Sequence, residues 1–319
     1  MTILNLTTTH LEALTNLINE SIDDYDLCLL KVTPELMNVY FVEEIEGYQK
    51  ISLAFLSDKT LLGFASGVSD FKRKTNYLTC LFVKKDHQLQ GIGKTLLNAL
   101  EERLINNGFD TIDCVFFNPI QWSFFVNNQS HTHNNMPGVL INSHYESFLK
   151  KQGYLPFAYQ NLYHMNLTNL DESPSLHYKI EQLKAQGIII DYYNEATCRN
   201  HTNLFKNLNN PGFEQAFNQA ILANKPILIA RKYGEVIGFT GPLNVINQKG
   251  TFSGIGVSSV YGGLGIGKAL FYELCQRLKA MGATYMTLFT GTENKARRIY
   301  EAQGFEVTQT FTNLRKRLK

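Results

Sequence analysis

Two glycine-rich turns, at residues 88–94 and 262–268, are the segments of this sequence best suited to bind a phosphorylated ligand. Each follows an apolar run that ends in valine and precedes leucines spaced four apart, which predicts a strand, a turn and a helix. The N-terminus of a helix offers unpaired N–H groups and a partial positive charge to an anion, and glycine lets the anion approach closely. The residues predicted to bind the ligand are Val83, Gln88, Gly91, Ile92, Gly93 and Lys94 in the first segment and Val257, Gly262, Gly263, Gly265, Ile266, Gly267 and Lys268 in the second.

The better-known phosphate-binding turns do not fit these segments. The second turn has the glycine and lysine spacing of a P-loop, but Ala269 stands where a hydroxyl would hold Mg²⁺. The first turn has Gln88 where the first P-loop glycine belongs. Leu96 and Leu270 occupy the place of the third glycine of the dinucleotide fingerprint. A nucleotide-binding switch is therefore disfavoured, and a different strand–turn–helix motif is indicated.

The two turns belong to a long internal repeat. Residues 83–94 recur as 257–268 at a shift of 174 positions, and the following helix repeats at the same shift. Residues 148–154 recur as 299–305 at a shift of 151, so the first copy carries about 23 additional residues within 118–144. Because a fixed long period indicates a duplicated unit, we predict two domains, residues 1–170 with an insertion around 118–144 and residues 171–319.

Each copy is predicted to be an α/β domain of the α+β type, in which a mixed but mostly antiparallel central sheet is flanked by helices. In the second copy, Leu270, Leu274 and Leu278 form one buried stripe on the helix after the turn, and Gly282 ends that helix. The polar stretch Thr168–Ser175 separates the copies. Strands of the second copy are predicted from the apolar runs at 188–190, 226–230, 236–240, 254–257 and 284–289.

With this arrangement in both halves, the sequence resembles the GCN5-related N-acetyltransferases, whose central motif is Arg/Gln-x-x-Gly-x-Gly/Ala between a strand and a helix. In the second half, Thr292–Phe305 is also similar to the family's terminal helix motif of Asn, Ala, Tyr and Gly-Phe. The resemblance implies that the turn holds the pyrophosphate of acetyl-coenzyme A as cosubstrate. The second copy departs from the motif at Gly262, where the family has Arg or Gln, and the first copy departs from it at Leu149, where the family has its tyrosine. Because the second copy keeps that tyrosine, it is expected to be the catalytic one.

The resemblance further implies N-acetyl transfer to a primary amine by direct attack on the thioester. Tyr300 would protonate the departing thiolate, and the strand ending at Val257 would donate a backbone N–H to the carbonyl. Glu293 is the candidate base, with water as the alternative, and Asn294 is a candidate contact to the pantetheine arm. Each side chain also has a structural explanation, as a packed core tyrosine, a favourable charge at a helix start and an N-cap. The alternative function is a non-catalytic acyl-coenzyme A binding or sensing protein.

The overall composition argues against several other functions. Lys and Arg number 30 against 28 Asp and Glu, a net charge of +2 that gives no field to attract nucleic acid. The sequence has neither a basic N-terminal region nor a long apolar run, so export and membrane binding are not expected. Five cysteines without a C-x-x-C pair predict reduced packing residues in a cytoplasmic protein. The expected partner is a small-molecule or peptide amine, and the expected state is a monomer or homodimer.

The insertion contains three histidines, His131, His133 and His144, among aromatic residues. No cysteine or carboxylate cluster accompanies them, so no metal is expected. A polar loop at residues 127–135 between aromatic anchors is the simplest expectation, and a loop that covers the substrate is the alternative.

Overall fold

The computed structural model describes residues 2–25 and 27–318. Two compact units form, unit 1 from Met1–Leu162 with Thr308–Lys319 and unit 2 from Tyr163–Val307. Unit 1 thus includes the segment 308–319, which was predicted to belong with residues 171–307. Strand pairing is the physical reason, as shown below.

The secondary structure follows the predicted repeat. The first part of the chain contains β1 (Thr2–Asn5), α1 (Leu11–Asp24), α2 (Pro34–Phe41), β2 (Tyr48–Ser57), β3 (Thr60–Asp70), β4 (Thr75–Val83), α3 (Ile92–Ile105), β5 (Thr111–Cys114), β6 (Phe124–Phe125), β7 (Thr132–His133), β8 (Val139–Leu140), α4 (His144–Lys151) and β9 (Leu155–Asn166). The second part contains α5 (Pro174–Ala185), β10 (Ile188–Tyr192), α6 (His201–Leu208), α7 (Pro211–Leu222), β11 (Leu228–Lys232), β12 (Glu235–Thr240), β13 (Asn244–Ile246), β14 (Lys249–Thr251), β15 (Ile255–Val257), α8 (Ile266–Ala280), β16 (Tyr285–Gly291), α9 (Arg297–Glu301) and β17 (Glu306–Arg317).

In unit 1 the strands follow the order β1-β2-β3-β4-β5-β17. All neighbours are antiparallel except β4 and β5, which are parallel. Helix α3 buries leucines at positions 96, 97, 100 and 104 against one face of the sheet, and α1 packs its apolar side on the other. β17 adds the last strand, where Arg315 makes two bonds to the carboxylate of Asp113 on β5, at 2.6 and 2.7 Å. These contacts place the segment 308–319 in unit 1.

The insertion of unit 1 folds onto the sheet, and the exposed polar residues 127–130 of the predicted loop form the turn of a short hairpin. β6 pairs with β7 in a short hairpin, and β8 pairs with β17. Trp122 is only 8% exposed, its ring centroid lies 6.0 Å from that of Phe82, and its indole N–H donates to the Leu30 carbonyl at 3.3 Å. Burial of aromatic side chains, which the sequence showed only as anchors, orders the segment.

Unit 2 repeats this architecture with a divided sheet. One part follows the order β10-β11-β12-β15 with antiparallel neighbours, and another joins β13, β14 and β16, in which β14 and β16 are parallel. Helix α8 buries Leu270, Leu274 and Leu278 at the predicted spacing, and Gly282 with a φ of 94° follows its end. The predicted fold class, two tandem domains with mostly antiparallel sheets flanked by helices, is confirmed. None of the helices within residues 2–25 and 27–318 combines the length and hydrophobicity of a membrane-spanning segment.

Candidate functional site

The second glycine turn joins β15 to α8. A single 3₁₀ turn, Ser259–Tyr261, leads to Gly262, and α8 begins four residues later. Gly263 has a φ of 79° and Gly265 a φ of 83°, a left-handed conformation in which a side chain costs energy. A Cβ atom on Gly263 would meet no atom within 4 Å among the residues that the structure describes. Glycine therefore suits the left-handed backbone of this turn, and the space beside Gly263 is open among the described residues.

The beginning of α8 presents hydrogen-bond donors that the helix itself does not use. The N–H groups of Ile266, Gly267 and Lys268 have no acceptor inside the helix, whereas the Ala269 N–H bonds to the Gly265 carbonyl at 3.1 Å. The first turn of α8, all of which is described, contains no acidic side chain. The helix dipole adds a partial positive charge there. This end of α8 is suited to bind an anion such as a pyrophosphate.

The first glycine turn has the same backbone geometry. A 3₁₀ turn covers Lys85–His87, and the left-handed residues are Leu89, with a φ of 59°, and Gly91, with a φ of 86°. They stand where unit 2 has its two left-handed glycines, and α3 then begins at Ile92 with Gly93 and Lys94 in its first turn. The predicted repeat of the turn is thus a repeat of its conformation.

The two turns differ in whether a side chain links the turn to the end of the preceding strand. The amide of Gln88 donates to the carbonyl of Val83 at 3.0 Å and so fastens the end of β4 to the turn. Gly262 stands at the equivalent position of unit 2 and has no side chain to make this bond. The missing arginine or glutamine of the motif therefore removes a contact that holds the turn.

Strand β15 is the edge strand of its sheet, and one side of its backbone has no strand partner among the described residues. The Ser258 N–H donates to the Ile237 carbonyl on β12 at 2.8 Å. Because the backbone groups of successive strand residues point to opposite sides, the N–H and C=O of Val257 point away from β12. β16 pairs with β14 as far as Met286, and no pairing between β15 and β16 occurs among the described residues. The Val257 N–H thus has no strand partner on this edge of β15 within residues 2–25 and 27–318.

The strand end, the turn and helix α9 meet around Gly267. A Cβ atom on this glycine would lie 3.1 Å from Cδ1 of Ile299 on α9 and 3.8 Å from Cγ2 of Val257. Tyr300, the next residue of α9, is 7% exposed. The structure therefore brings the predicted turn residues and the helix of the predicted acid into one neighbourhood.

The side chain of Tyr300 packs in the core of unit 2. Its ring centroid lies 4.9 Å from that of Phe271 on α8 and 6.0 Å from that of Tyr163. Burial, with a smaller contribution from Tyr163, raises the pKa of Tyr300 to about 12. The hydroxyl keeps its proton at neutral pH, as a proton donor must.

Glu293 and Asn294 lie in the connection between β16 and α9, and both are exposed. The Asn294 carbonyl oxygen accepts the N–H of Ala296 at 2.9 Å, and its amide donates to Thr290 at 2.9 Å. Both ends of the Asn294 side chain therefore serve the local turn. The side chain of Glu293 is accessible to solvent.

In unit 1 the gap between the equivalent strands is bridged by a side chain of the insertion. β4 pairs with β5 only at Asn76 and Tyr77, and the strands diverge beyond them. Asn118, which follows β5, donates its amide to the hydroxyl of Thr79 on β4 at 2.9 Å. The insertion therefore closes a gap that the divergence would leave.

Tyr145 fills the same region from helix α4. At the shift of 151 that relates the two terminal helices, it stands where unit 2 has Ala296, and fully buried Leu149 stands where unit 2 has Tyr300. The Tyr145 hydroxyl is buried and has no hydrogen-bond partner among the described residues. Burial, together with the nearby thiols of Cys114 on β5 and of a β4 cysteine, raises its pKa well above the usual value. Leu149 was expected from the sequence, whereas Tyr145 was not, although the alignment with Ala296 could have identified it.

No group of three or more His, Cys, Asp or Glu side chains within residues 2–25 and 27–318 is arranged to hold a metal ion. The site consists of backbone donors at the helix start, the edge of β15, and Tyr300. Its chemistry is that of anion binding beside a backbone N–H and a protonated phenol.

Comparison with solved structures shows the fold. A GCN5-related glucosamine N-acetyltransferase region of a fungal multi-domain GH3 β-N-acetylglucosaminidase matches with a TM-score of 0.70 and 15% identity, over 99% of this chain and 38% of that chain. A GCN5-related N-acetyltransferase from Sphaerobacter thermophilus matches with a TM-score of 0.60 and 14% identity, over 99% of this chain and 95% of that one. A tandem GNAT protein from the clavulanic acid biosynthesis pathway matches with a TM-score of 0.60 and 11% identity, over 99% and 98%.

No curated protein matches the chain. The family model described as acetyltransferase (GNAT) family matches residues 18–126 and 191–305, once in each repeat. These two matches contain both glycine turns and together cover more than half of the sequence. The chain therefore belongs to the acetyltransferase (GNAT) family.

Proposed function

We propose that the protein is an N-acetyltransferase that transfers the acetyl group of acetyl-coenzyme A to a primary amine, and that unit 2 carries the reaction. The observation that supports this most directly is the unpaired edge of β15 at Val257, immediately before the glycine turn and next to the helix of Tyr300. Each of these parts lies in unit 2, within a segment that matches the family model.

The glycine turn of unit 2 would hold the pyrophosphate of the cosubstrate. The N–H groups at the start of α8 donate to its oxygens, and the space above Gly263 admits them. The pantetheine arm then extends along the edge of β15, where the backbone groups of Val257 have no strand partner among the described residues. The thioester carbonyl reaches the same edge.

The reaction forms a C–N bond and breaks a C–S bond. The neutral amine attacks the thioester carbon, and the Val257 N–H stabilises the oxyanion that develops, a contribution of about 3 kcal/mol for one donor. The C–S bond then breaks, and the Tyr300 hydroxyl gives its proton to the leaving thiolate, for about 10² to 10⁴ in rate. The proton lost by the amine passes to Glu293 or to water. The products are the acetylated amine and coenzyme A.

Unit 1 is proposed to bind no cosubstrate. Its backbone turn is preserved, but Tyr145 and Asn118 occupy the gap between β4 and β5. Leu149 supplies no proton donor at the position of Tyr300. A gap filled by buried side chains has no room for a pantetheine arm, so unit 1 is proposed to have a structural role and no catalytic one.

The identity of the amine is proposed only as a class. The similar region of the fungal enzyme is described as a glucosamine N-acetyltransferase, so amino sugars join polyamines and peptides in the panel of amines to be assayed. The net charge of +2 selects none of these classes.

The test is a calorimetric titration of acetyl-coenzyme A combined with an assay of thiol release in the presence of the amines. We expect one binding site per chain, lost in Gly267→Val, where added carbon atoms would meet Ile299, and retained in the matched variant Gly93→Val. Tyr300→Phe should lower kcat by about a hundredfold, while Tyr285→Phe, another buried tyrosine of unit 2, should leave it unchanged.

Several results would overturn parts of this proposal. Absence of binding to the wild-type protein would reject the acetyltransferase. Binding without turnover on any amine would favour the acyl-coenzyme A sensor instead. A kcat of Tyr300→Phe equal to that of wild type, with chemistry rate-limiting, would reject Tyr300 as the proton donor.

A further inference from the structure

Helix α5, which precedes the first strand of unit 2, lies along α8 and carries a lysine to the glycine turn. The Ser173 N–H donates to the Tyr272 hydroxyl at 3.2 Å, and His177 lies within 3.2 Å of the same hydroxyl. Lys179 comes half a turn further along α5, toward the start of α8. A Cβ atom on Gly265 would lie 2.8 Å from Cε of Lys179 and 3.8 Å from its Cδ and Cγ. The lysine side chain therefore crosses directly over the turn.

The charge of Lys179 is poorly compensated where it lies. Its ammonium group contacts the amide oxygen of Gln182 at 3.4 Å, and no carboxylate lies within ion-pair distance of it in the described chain. The positive end of the α8 dipole and exposed Lys268 add further positive charge. A cation beside a helix N-terminus is unfavourable on its own, so this arrangement calls for an anion between the lysine and the helix.

Unit 1 has no equivalent of this lysine. Nothing lies within 4 Å of the Cβ position of Gly91 among the described residues. Beside β1 and the start of α3, unit 1 has a cavity of about 500 Å³ lined by Ile3, Phe55, Gln90, Ile92 and Thr95. The lysine thus accompanies the turn that lacks Gln88 and is absent from the turn that has it.

We propose that Lys179 binds the pyrophosphate of the acyl-coenzyme A held by unit 2, and that it supplies the side-chain contact that Gly262 cannot. This inference rests on the proposed function. A lysine from outside the repeated unit then makes the two turns unequal, and the affinity of unit 2 for the phosphorylated end of the ligand depends on α5.

The test compares a ligand that carries phosphates with one that lacks them. Calorimetry measures the affinity of the full-length protein for coenzyme A and for pantetheine, in wild type and in Lys179→Met, whose methylene groups keep the packing on Gly265. We expect Lys179→Met to bind coenzyme A about tenfold more weakly, the loss of one charge-assisted hydrogen bond, with no change for pantetheine. Lys179→Arg should retain most of the affinity, and its binding should weaken with salt as that of wild type does.

The matched control is Lys184→Met, which removes the same charge from an exposed position on the same helix that pairs with Glu181 at 3.7 Å. It should bind both ligands as wild type does. If wild type binds coenzyme A and Lys179→Met binds it within twofold of wild type, the role of Lys179 is rejected while the proposed function stands. If Lys179→Met loses coenzyme A and pantetheine equally, the lysine is structural and the proposal is overturned. If wild type binds no coenzyme A, the proposed function is overturned, and the role of Lys179 with it.

Discussion

Removal of the buried hydroxyl of Tyr145 is predicted to stabilise unit 1. This oxygen is buried and has no hydrogen-bond partner in the part of the chain that the structure describes. An unsatisfied buried hydroxyl costs about 1 to 3 kcal/mol relative to one in water. Tyr145→Phe deletes only the hydroxyl and keeps the packed ring. We therefore expect the free energy of unfolding of unit 1 to rise by about 1 kcal/mol or more.

A second buried tyrosine of the same unit provides the matched control. The Tyr154 hydroxyl donates to Oε1 of Glu101 at 3.0 Å, and Oε2 of that carboxylate contacts Lys316 at 2.6 Å. Tyr154→Phe takes a donor from a carboxylate that is 8% exposed. Hydrogen bonds to charged groups contribute about 1.5 to 3 kcal/mol, so this variant should lose stability by that amount. The same deletion thus has opposite signs at two neighbouring positions.

The assay can be confined to unit 1 because Trp122 is the only tryptophan in the sequence and is buried in that unit. Urea unfolding followed by its fluorescence gives the free energy of each variant at constant m-value. Thermal unfolding should shift by about 2 to 4 °C per kcal/mol. If Tyr145→Phe is less stable than wild type by as much as Tyr154→Phe, the Tyr145 hydroxyl is hydrogen-bonded and the reasoning fails.

Two further predictions concern the same unit and the same fluorescence assay. A Cβ atom on Gly138 would lie 2.5 Å from the backbone carbonyl oxygen of Thr312, so Gly138→Ala should lower the free energy of unfolding by about 1 to 3 kcal/mol. The control is Gly93→Ala, which should not destabilise unit 1 because the nearest atom to its Cβ position lies at 3.5 Å. Equal effects of the two variants would contradict the packing argument. Burial raises the pKa of Glu146, but hydrogen bonds from Lys150 and Thr312 lower it more, and the net pKa is below normal. Its stabilising effect is then present above the unfolded pKa of about 4.3 and is lost as the pH falls through the folded value, so Glu146→Gln should be destabilising at pH 7 and nearly neutral near pH 2.

The local parts of the fold were predictable because their causes are local. The glycine turns recur with the same left-handed positions, 89 and 91 in unit 1 and 263 and 265 in unit 2, as the shift of 174 in the sequence requires. The helix after each turn buries the predicted leucine stripe. Backbone conformation and hydrophobic spacing are properties of neighbouring residues, so a single sequence contains them.

The destination of the C-terminal strand was not predictable in this way. In that strand, Arg315 pairs with Asp113 and Lys316 pairs with Glu101, both in unit 1. Which strand lies beside which depends on pairings between residues about 200 positions apart. No spacing within either repeat encodes that choice.

The residues of the candidate site also differ in whether a local motif identifies them. Val257, the turn glycines and Tyr300 were predicted from the glycine motif and the family resemblance, and the structure places the turn against the helix of Tyr300. Lys179 was missed because it belongs to a helix outside the repeat, and Tyr145 was missed because only the shifted alignment shows that it replaces an alanine. Contacts made across a fold by residues outside a motif leave no local signal.

The return of residues 308–319 to unit 1 has a consequence for the order of synthesis. The ribosome completes all of unit 2 before it makes the strand that pairs with β5, so a nascent unit 1 waits with β5 and β8 exposed as unpaired edges. Exposed edges invite pairing with other chains. A full-length chain diluted from denaturant has this strand from the start. During translation these edges therefore stay unpaired at least as long as the ribosome needs to make unit 2, and slow elongation through unit 2 would extend that time.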